Sequence, residues 1–281
     1  MRPVNSAKGR SDSLKRNIGA AVYAVSIVLL LLCEFYGKAK FSELFDETTS
    51  QLLYMTLTRL LGGAIFVTLT LYLGYKVMNP VRIKAKELAF TVPAFAVVIN
   101  NLPIIPLISG EAEINASGLQ IFLLAAECLA IGLFEETAFR GVVLLGIMEK
   151  RRNGTKDLFV SIVLSSAVFG VIHLVNLFTS SPGAVLLQIG YSFLIGAMCA
   201  VVLIRTANIW LCVVLHAVYD FCGSLVPTFG DGVIWTAPEV LLTVVISLAA
   251  AAYFIIALIK TDVRCIDRIY MKESGKKETQ L

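Results

Sequence analysis

Charge is scarce in this sequence: only 16% of its 281 residues are Asp, Glu, Lys or Arg, where a soluble domain carries about a quarter. That excludes a chain able to cover an ordinary globular surface with solvating side chains. Histidine is scarcer still, with two in the whole chain, so any imidazole chemistry must run through His173 and His216. The six cysteines, Cys33, Cys128, Cys199, Cys212, Cys222 and Cys265, include no CxxC pair. Their scatter argues against a disulfide framework or a zinc knuckle and reads as reduced, packing cysteine. HExxH and any dense cluster of metal ligands are also missing, so neither a metal nor another cofactor is expected. No internal repeat is visible, and nothing points to a nucleic-acid partner.

What the chain has in excess is hydrocarbon. Hydrophobic residues make up 57% of it, and its mean hydropathy is +0.81. A bilayer is crossed by about 20 apolar residues in a helix, and eight stretches qualify: 18–36, 52–74, 88–110, 119–148, 158–179, 183–204, 207–228 and 237–260. They predict an all-α, polytopic membrane protein with eight transmembrane helices in one integral domain, 1–281. The first run follows Arg2, Lys8, Arg10, Lys15 and Arg16 in the manner of a signal peptide. It exceeds the usual apolar core of about 7–15 residues and no small-residue cleavage site follows, so an uncleaved helix is expected.

Basic residues set the orientation, because Lys and Arg concentrate in cytoplasmic loops. All but four of the 24 fall in the N-terminus, in 75–87, in 149–157, at Arg205 or in the tail from Lys260. The four others are Lys38 and Lys40, on the opposite side, and Arg59 and Arg140, inside spans. Both termini are therefore expected in the cytoplasm, with the tail 261–281 lying near anionic lipid. A bacterial plasma membrane fits this organisation.

Several polar residues interrupt the apolar spans. Pro93, Asn100, Asn101, Pro103 and Pro106 break the third, and backbone freed at that depth must be buried in protein or face a wet cavity; a kinked packing helix is the expectation. Glu239 in Thr236-Ala-Pro-Glu239 reads as the end of a capping box on the last helix. Arg59 and Glu127 read as structural polar contacts between helices. The glycosylation patterns at Asn115 and Asn153 decide nothing.

The fourth span carries the densest chemistry. Gly132-Leu-Phe-Glu135-Glu136-Thr-Ala-Phe-Arg140-Gly141 puts three charges where each costs about 2.5–3.5 kcal/mol at a helix centre. Glu136 and Arg140 are four apart in the favourable order and can pair. Glu135 is rotated about 100° from Glu136 and stays free for chemistry. The fifth span carries Phe169 and His173, the seventh His216 and Asp220, again four apart. Counting 1.5 Å per residue, Glu135, His173 and His216 lie roughly 20, 24 and 14 Å from the cytoplasmic ends of their helices, a depth at which they can share one cavity. A carboxylate and a neutral imidazole can deprotonate water, and a second imidazole with a hydrogen-bonding neighbour can stabilise an oxyanion.

Glu135-Glu136-x-x-x-Arg140, Phe169-x-x-x-His173 and His216-x-x-x-Asp220, in this order on three spans, resemble the three motifs of the CPBP family. This is the CAAX-processing and bacteriocin-processing (Abi) group of intramembrane glutamic proteases, and the resemblance covers about 119–222. It implies an eight-helix fold and peptide-bond hydrolysis inside the bilayer, on a peptide or protein substrate whose lipidation is left open. It also implies roles: Glu135 with His173 activating water, His216 and position 220 forming an oxyanion hole, Glu136 with Arg140 bracing the site, and Phe169 shaping the pocket. Position 220 is commonly Asn in the prenyl-endopeptidase branch and is Asp220 here. An ionised Asp only accepts hydrogen bonds, so it is either kept protonated by burial or it orients His216. Two rival readings stay open: a zinc-dependent membrane protease, and a non-catalytic transport, immunity or scaffold protein with a buried polar relay.

Overall fold

The computed structural model describes residues 4–36, 46–81, 83–151, 154–262 and 266–270. Asn153, Cys265, Lys38, Lys40, Arg82 and most of the C-terminal tail lie outside them, as do the side chains of residues 4–10, 35 and 36. The described chain is helical apart from one small hairpin. In order come α1 (Val4–Tyr36), α2 (Glu47–Leu73), α3 (Ala85–Phe90), α4 (Val92–Ile99), α5 (Ile104–Ser109), β1 (Ala112–Ile114) and α6 (Gly118–Glu136). A π-helical stretch, Thr137–Leu144, joins α6 to α7 (Leu145–Lys150). Then follow α8 (Thr155–Ile172), a 3-10 turn His173–Phe178, α9 (Pro182–Thr206), α10 (Ile209–Phe229), β2 (Gly230–Gly232), α11 (Ala237–Ile259) and α12 (Asp267–Tyr270).

Among the described residues, seven helical segments are long and apolar enough to cross a membrane, α6 to α7 counting as one from Gly118 to Lys150. The protein is accordingly an integral, multi-pass membrane protein. The ends of the spans follow ordinary capping chemistry. Asp46 accepts a hydrogen bond from the Thr49 amide at 3.0 Å, and Gly74 closes α2 in the left-handed conformation at φ 89°. Ser181 followed by Pro182 opens α9, and Asn208 accepts from the Trp210 amide at 2.9 Å to open α10.

The predicted third span is not one helix. Its prolines and asparagines divide it into α3, α4 and α5. The side chains at the break are bonded to neighbouring spans: Asn100 donates to Thr243 and Asn101 to the Tyr219 carbonyl, each at 2.8 Å. The expected capping box at Thr236 is also absent. Glu239 instead turns toward α5 and accepts from the Ile105 amide at 3.1 Å, serving a helix start that Pro103 leaves without a side-chain cap.

Backbone contacts fix the direction of this broken segment. Ile209, at the start of α10, donates to the Val77 carbonyl at 3.0 Å, and Asn115 donates to Phe229 at the other end at 2.7 Å. The 21 residues of α10 measure about 31 Å, so the chain between Val77 and Asn115 passes from one end of α10 to the other. Other contacts collect the basic segments at the Val77 end. Lys76 donates to the Ile269 carbonyl at 2.9 Å, Arg268 reaches Glu87 at 3.3 Å and the Arg205 carbonyl, and Arg16 lies 3.6 Å from Glu149. At the opposite end β1 and β2 pair antiparallel, Glu113 facing Asp231, and Gly232 takes φ 113°, open to glycine at little strain.

Candidate active site

Glycine brings the site-bearing helices together. A Cβ on Gly132 would meet the Val213 carbonyl at 2.6 Å, and one on Gly170 the Ile189 carbonyl at 2.9 Å. Only glycine lets α6 approach α10, and α8 approach α9, this closely. Gly196 does the same for a side chain: its missing Cβ would lie 2.8 Å from the Arg140 guanidinium.

Into this tight junction the chain turns Glu136 and Arg140, 0% and 2% exposed. Arg140 Nη1 lies 2.9 Å from Glu136 Oε1. The contact is one of charge rather than an aligned hydrogen bond, since both terminal guanidinium nitrogens and Glu136 Oε2 lack hydrogen-bond partners. The guanidinium also sits 4.3 Å from the centre of the Phe169 ring, a cation–π contact between two buried side chains. The π-helical turn that begins at Thr137 was invisible in the sequence. Such turns inside α-helices are frequent at functional sites.

Glu136 is not only Arg140's counterion. His216 Nδ1 lies 2.7 Å from Glu136 Oε1, and since a carboxylate accepts, Nδ1 carries the proton. The other ring nitrogen, Nε2, faces two more carboxylates, Asp220 at 3.4 Å and Glu135 at 3.5 Å. His216 is thus the hub of the cluster, a position its motif did not reveal. His173 is held separately, with Nδ1 donating to the Phe169 carbonyl at 2.9 Å. That leaves its Nε2 as the acceptor in the neutral ring. The Phe169 ring lies edge-on between the two imidazoles, 5.3 Å from His173 and 5.8 Å from His216.

A cavity of about 350 Å³ is lined by Glu135, Phe169, His173, His216 and Asp220, so residues from three spans share one space. Glu136 and Arg140 lie behind its wall. Arg59 and Glu127 line it as well, 2.5 Å apart, with Arg59 also 3.1 Å from Glu34; the structural contact expected of Arg59 and Glu127 is an ion-paired trio joining α1, α2 and α6. Sequence reading also missed Tyr191 and Ser192 of α9, which carry no motif. Among the described residues one grouping has donor atoms close enough to hold a metal ion: Glu136, Cys199 and Cys212, within 4.8 Å of one another. It is fully buried and includes neither Glu135 nor either histidine.

Residues 117–222 match the family model of the type II CAAX prenyl endopeptidases, Rce1-like. This is the CAAX-protease family that the three motifs resemble, and the matched segment takes in all three. No curated protein and no solved structure gives a match to the chain. The family is one of membrane proteases acting on peptide or protein substrates, which agrees with a polar cavity enclosed by apolar helices.

Proposed function

We propose that the chain is an intramembrane endopeptidase that hydrolyses a peptide bond with a water activated by Glu135 and His173. The observation that carries this is the single cavity shared by Glu135, His173, His216 and Asp220. Glu135, freed from Arg140 by the Glu136 pairing, takes a proton from water as the oxygen attacks the carbonyl carbon. The unprotonated Nε2 of His173 holds that water. Negative charge developing on the carbonyl oxygen falls beside His216 Nε2 and Asp220, and breakdown of the tetrahedral intermediate returns the proton from Glu135 to the leaving amine.

His216 Nε2 can face both Glu135 and Asp220 only if a proton lies among them, on the ring or on a carboxyl. We place one on the Asp220 carboxyl, a donor in the role an Asn amide fills in the prenyl-endopeptidase branch the motif resembles, and a second on His216 Nε2, so that both groups donate to the developing oxyanion. The broken segment α3 to α5, running the length of α10, supplies the eighth crossing, and both termini lie on the cytoplasmic, basic side. The test is cleavage of a peptide library by the purified protein, with products sequenced by mass spectrometry. Internal cleavage that persists after dialysis against a strong chelator is expected. Loss restored specifically by zinc favours the metal-dependent reading, and no cleavage at all favours a non-catalytic polar relay.

A further inference from the structure

The cavity is not symmetric along the bundle. On α10 its lining steps from His216 through Asp220 and Ser224 to Thr228, which is exposed at the helix end. That is about 18 Å of helix. On α6 the lining runs back from Glu135 to Leu124, toward the start of the helix. Both directions lead to the hairpin end. In the opposite direction the way is shut, because Leu144, Met148, Leu203 and Leu215 are 0% exposed. We infer that the substrate reaches this site from the face opposite the basic loops, the extracytoplasmic face, as an extended peptide carrying basic side chains.

The charge at the mouth supports the second half of that statement. Asp46, Glu47, Glu111, Glu113 and Asp231 are exposed on the described segments of the hairpin end, and those segments carry no Lys or Arg. Inside, Glu127 and Glu135 meet a single guanidinium, Arg59, already paired with Glu34 and Glu127. An acidic funnel of this kind concentrates cationic ligands and excludes anionic ones, with an effect that salt weakens. The inference rests on the endopeptidase reading for its substrate but not for its face, and the two are tested apart.

For the face, Thr228→Cys at the cavity mouth and Lys156→Cys at the exposed start of α8, in the basic segment, are placed in a Cys33→Ser, Cys265→Ser background and treated in intact bacterial cells with a membrane-impermeant maleimide. Labelling of Thr228→Cys alone is expected, with both labelled after permeabilisation; labelling of Lys156→Cys alone overturns the inference whatever the chemistry. For the substrate, the purified protein is given paired peptides that differ only in Lys or Glu beside the susceptible bond. The Lys peptide is expected to show at least a tenfold higher kcat/KM at low salt, narrowing at high salt. Equal rates, or preference for the Glu peptide, overturn the charge assignment. Cleavage of neither peptide overturns the endopeptidase reading and with it the substrate class, while the labelling still decides the face.

Discussion

The two ends of this bundle are made from the same helices yet built differently. At the basic end, Leu144, Leu145, Met148, Leu158, Leu203, Ile204 and Ile209 are all 0% exposed. The C-terminal α12 closes over them, with Tyr270 donating to the Leu145 carbonyl at 2.8 Å. At the hairpin end the same helices enclose a polar cavity, an ion-paired trio and a three-residue strand pair. The dense half holds the geometry, and the open half carries the groups to which we assign the reaction, which need water and room. The boundary between them is the Glu136–Arg140–His216 junction, where burial is complete but polar satisfaction is not.

Breaking that junction should have the largest effect on stability. Glu136→Gln leaves Arg140 buried without a counterion, and removing one partner of a buried pair costs about 3–5 kcal/mol. A large fall in thermal midpoint in detergent, accompanied by loss of activity, is expected; an unchanged midpoint means that the pair is not what joins the halves. Gly132→Ala comes next. Its methyl group would press on the Val213 carbonyl and push α6 off α10, with overpacking of this kind costing about 1–3 kcal/mol. Because the shift also moves Glu135 and Glu136 away from His216, activity should fall more than stability, which paired thermal and kinetic measurements can check.

Asp220→Asn sharpens the comparison at the cavity itself. If Asp220 is a protonated donor, the amide supplies an equivalent N–H, most activity survives, and any decline of rate as pH rises through the carboxyl's titration is reduced. A folded but inactive variant contradicts the donor role and points to an ionised Asp220 orienting His216. The smallest effect is expected at Asp46, on the surface of the hairpin end. Hydrogen bonds from the Thr49 hydroxyl and amide hold its carboxyl below the usual carboxylate range. A folded-state value lower than the unfolded one means that the cap helps fully above the unfolded pKa and fades as pH falls through the folded one. Hydrogen exchange at the first turn of α2 should therefore quicken in acid, and Asp46→Asn should remove most of that pH dependence.

These contrasts show what the sequence could and could not reveal. The spans were legible because apolar runs of membrane length need no partner to be recognised, and the motif residues were legible because charge in hydrocarbon is conspicuous. The third span showed its break through Pro103 and its asparagines, but not that those asparagines would bond to α10 and α11. The capping box at Glu239 was misread because Ile105, 134 positions away, competes for the same carboxylate. The role of His216 as a hub was hidden for a similar reason: Glu136 is 80 residues distant, and a local pattern pairs His216 only with Asp220. Within the π-helical turn Gly141 lies close against Thr70 of α2, a tertiary contact with no local signature.

The most direct test of the division of labour between adjacent carboxylates is to measure cleavage rate and thermal midpoint together for wild type and Glu135→Gln. Losing a general base lowers rates by about 10²–10⁴-fold, and Glu135, unlike Glu136, is only half-buried and faces the cavity. The predicted result is a drop of at least about 100-fold in kcat with a thermal midpoint close to wild type. Near-normal turnover by Glu135→Gln would contradict its assignment as the base.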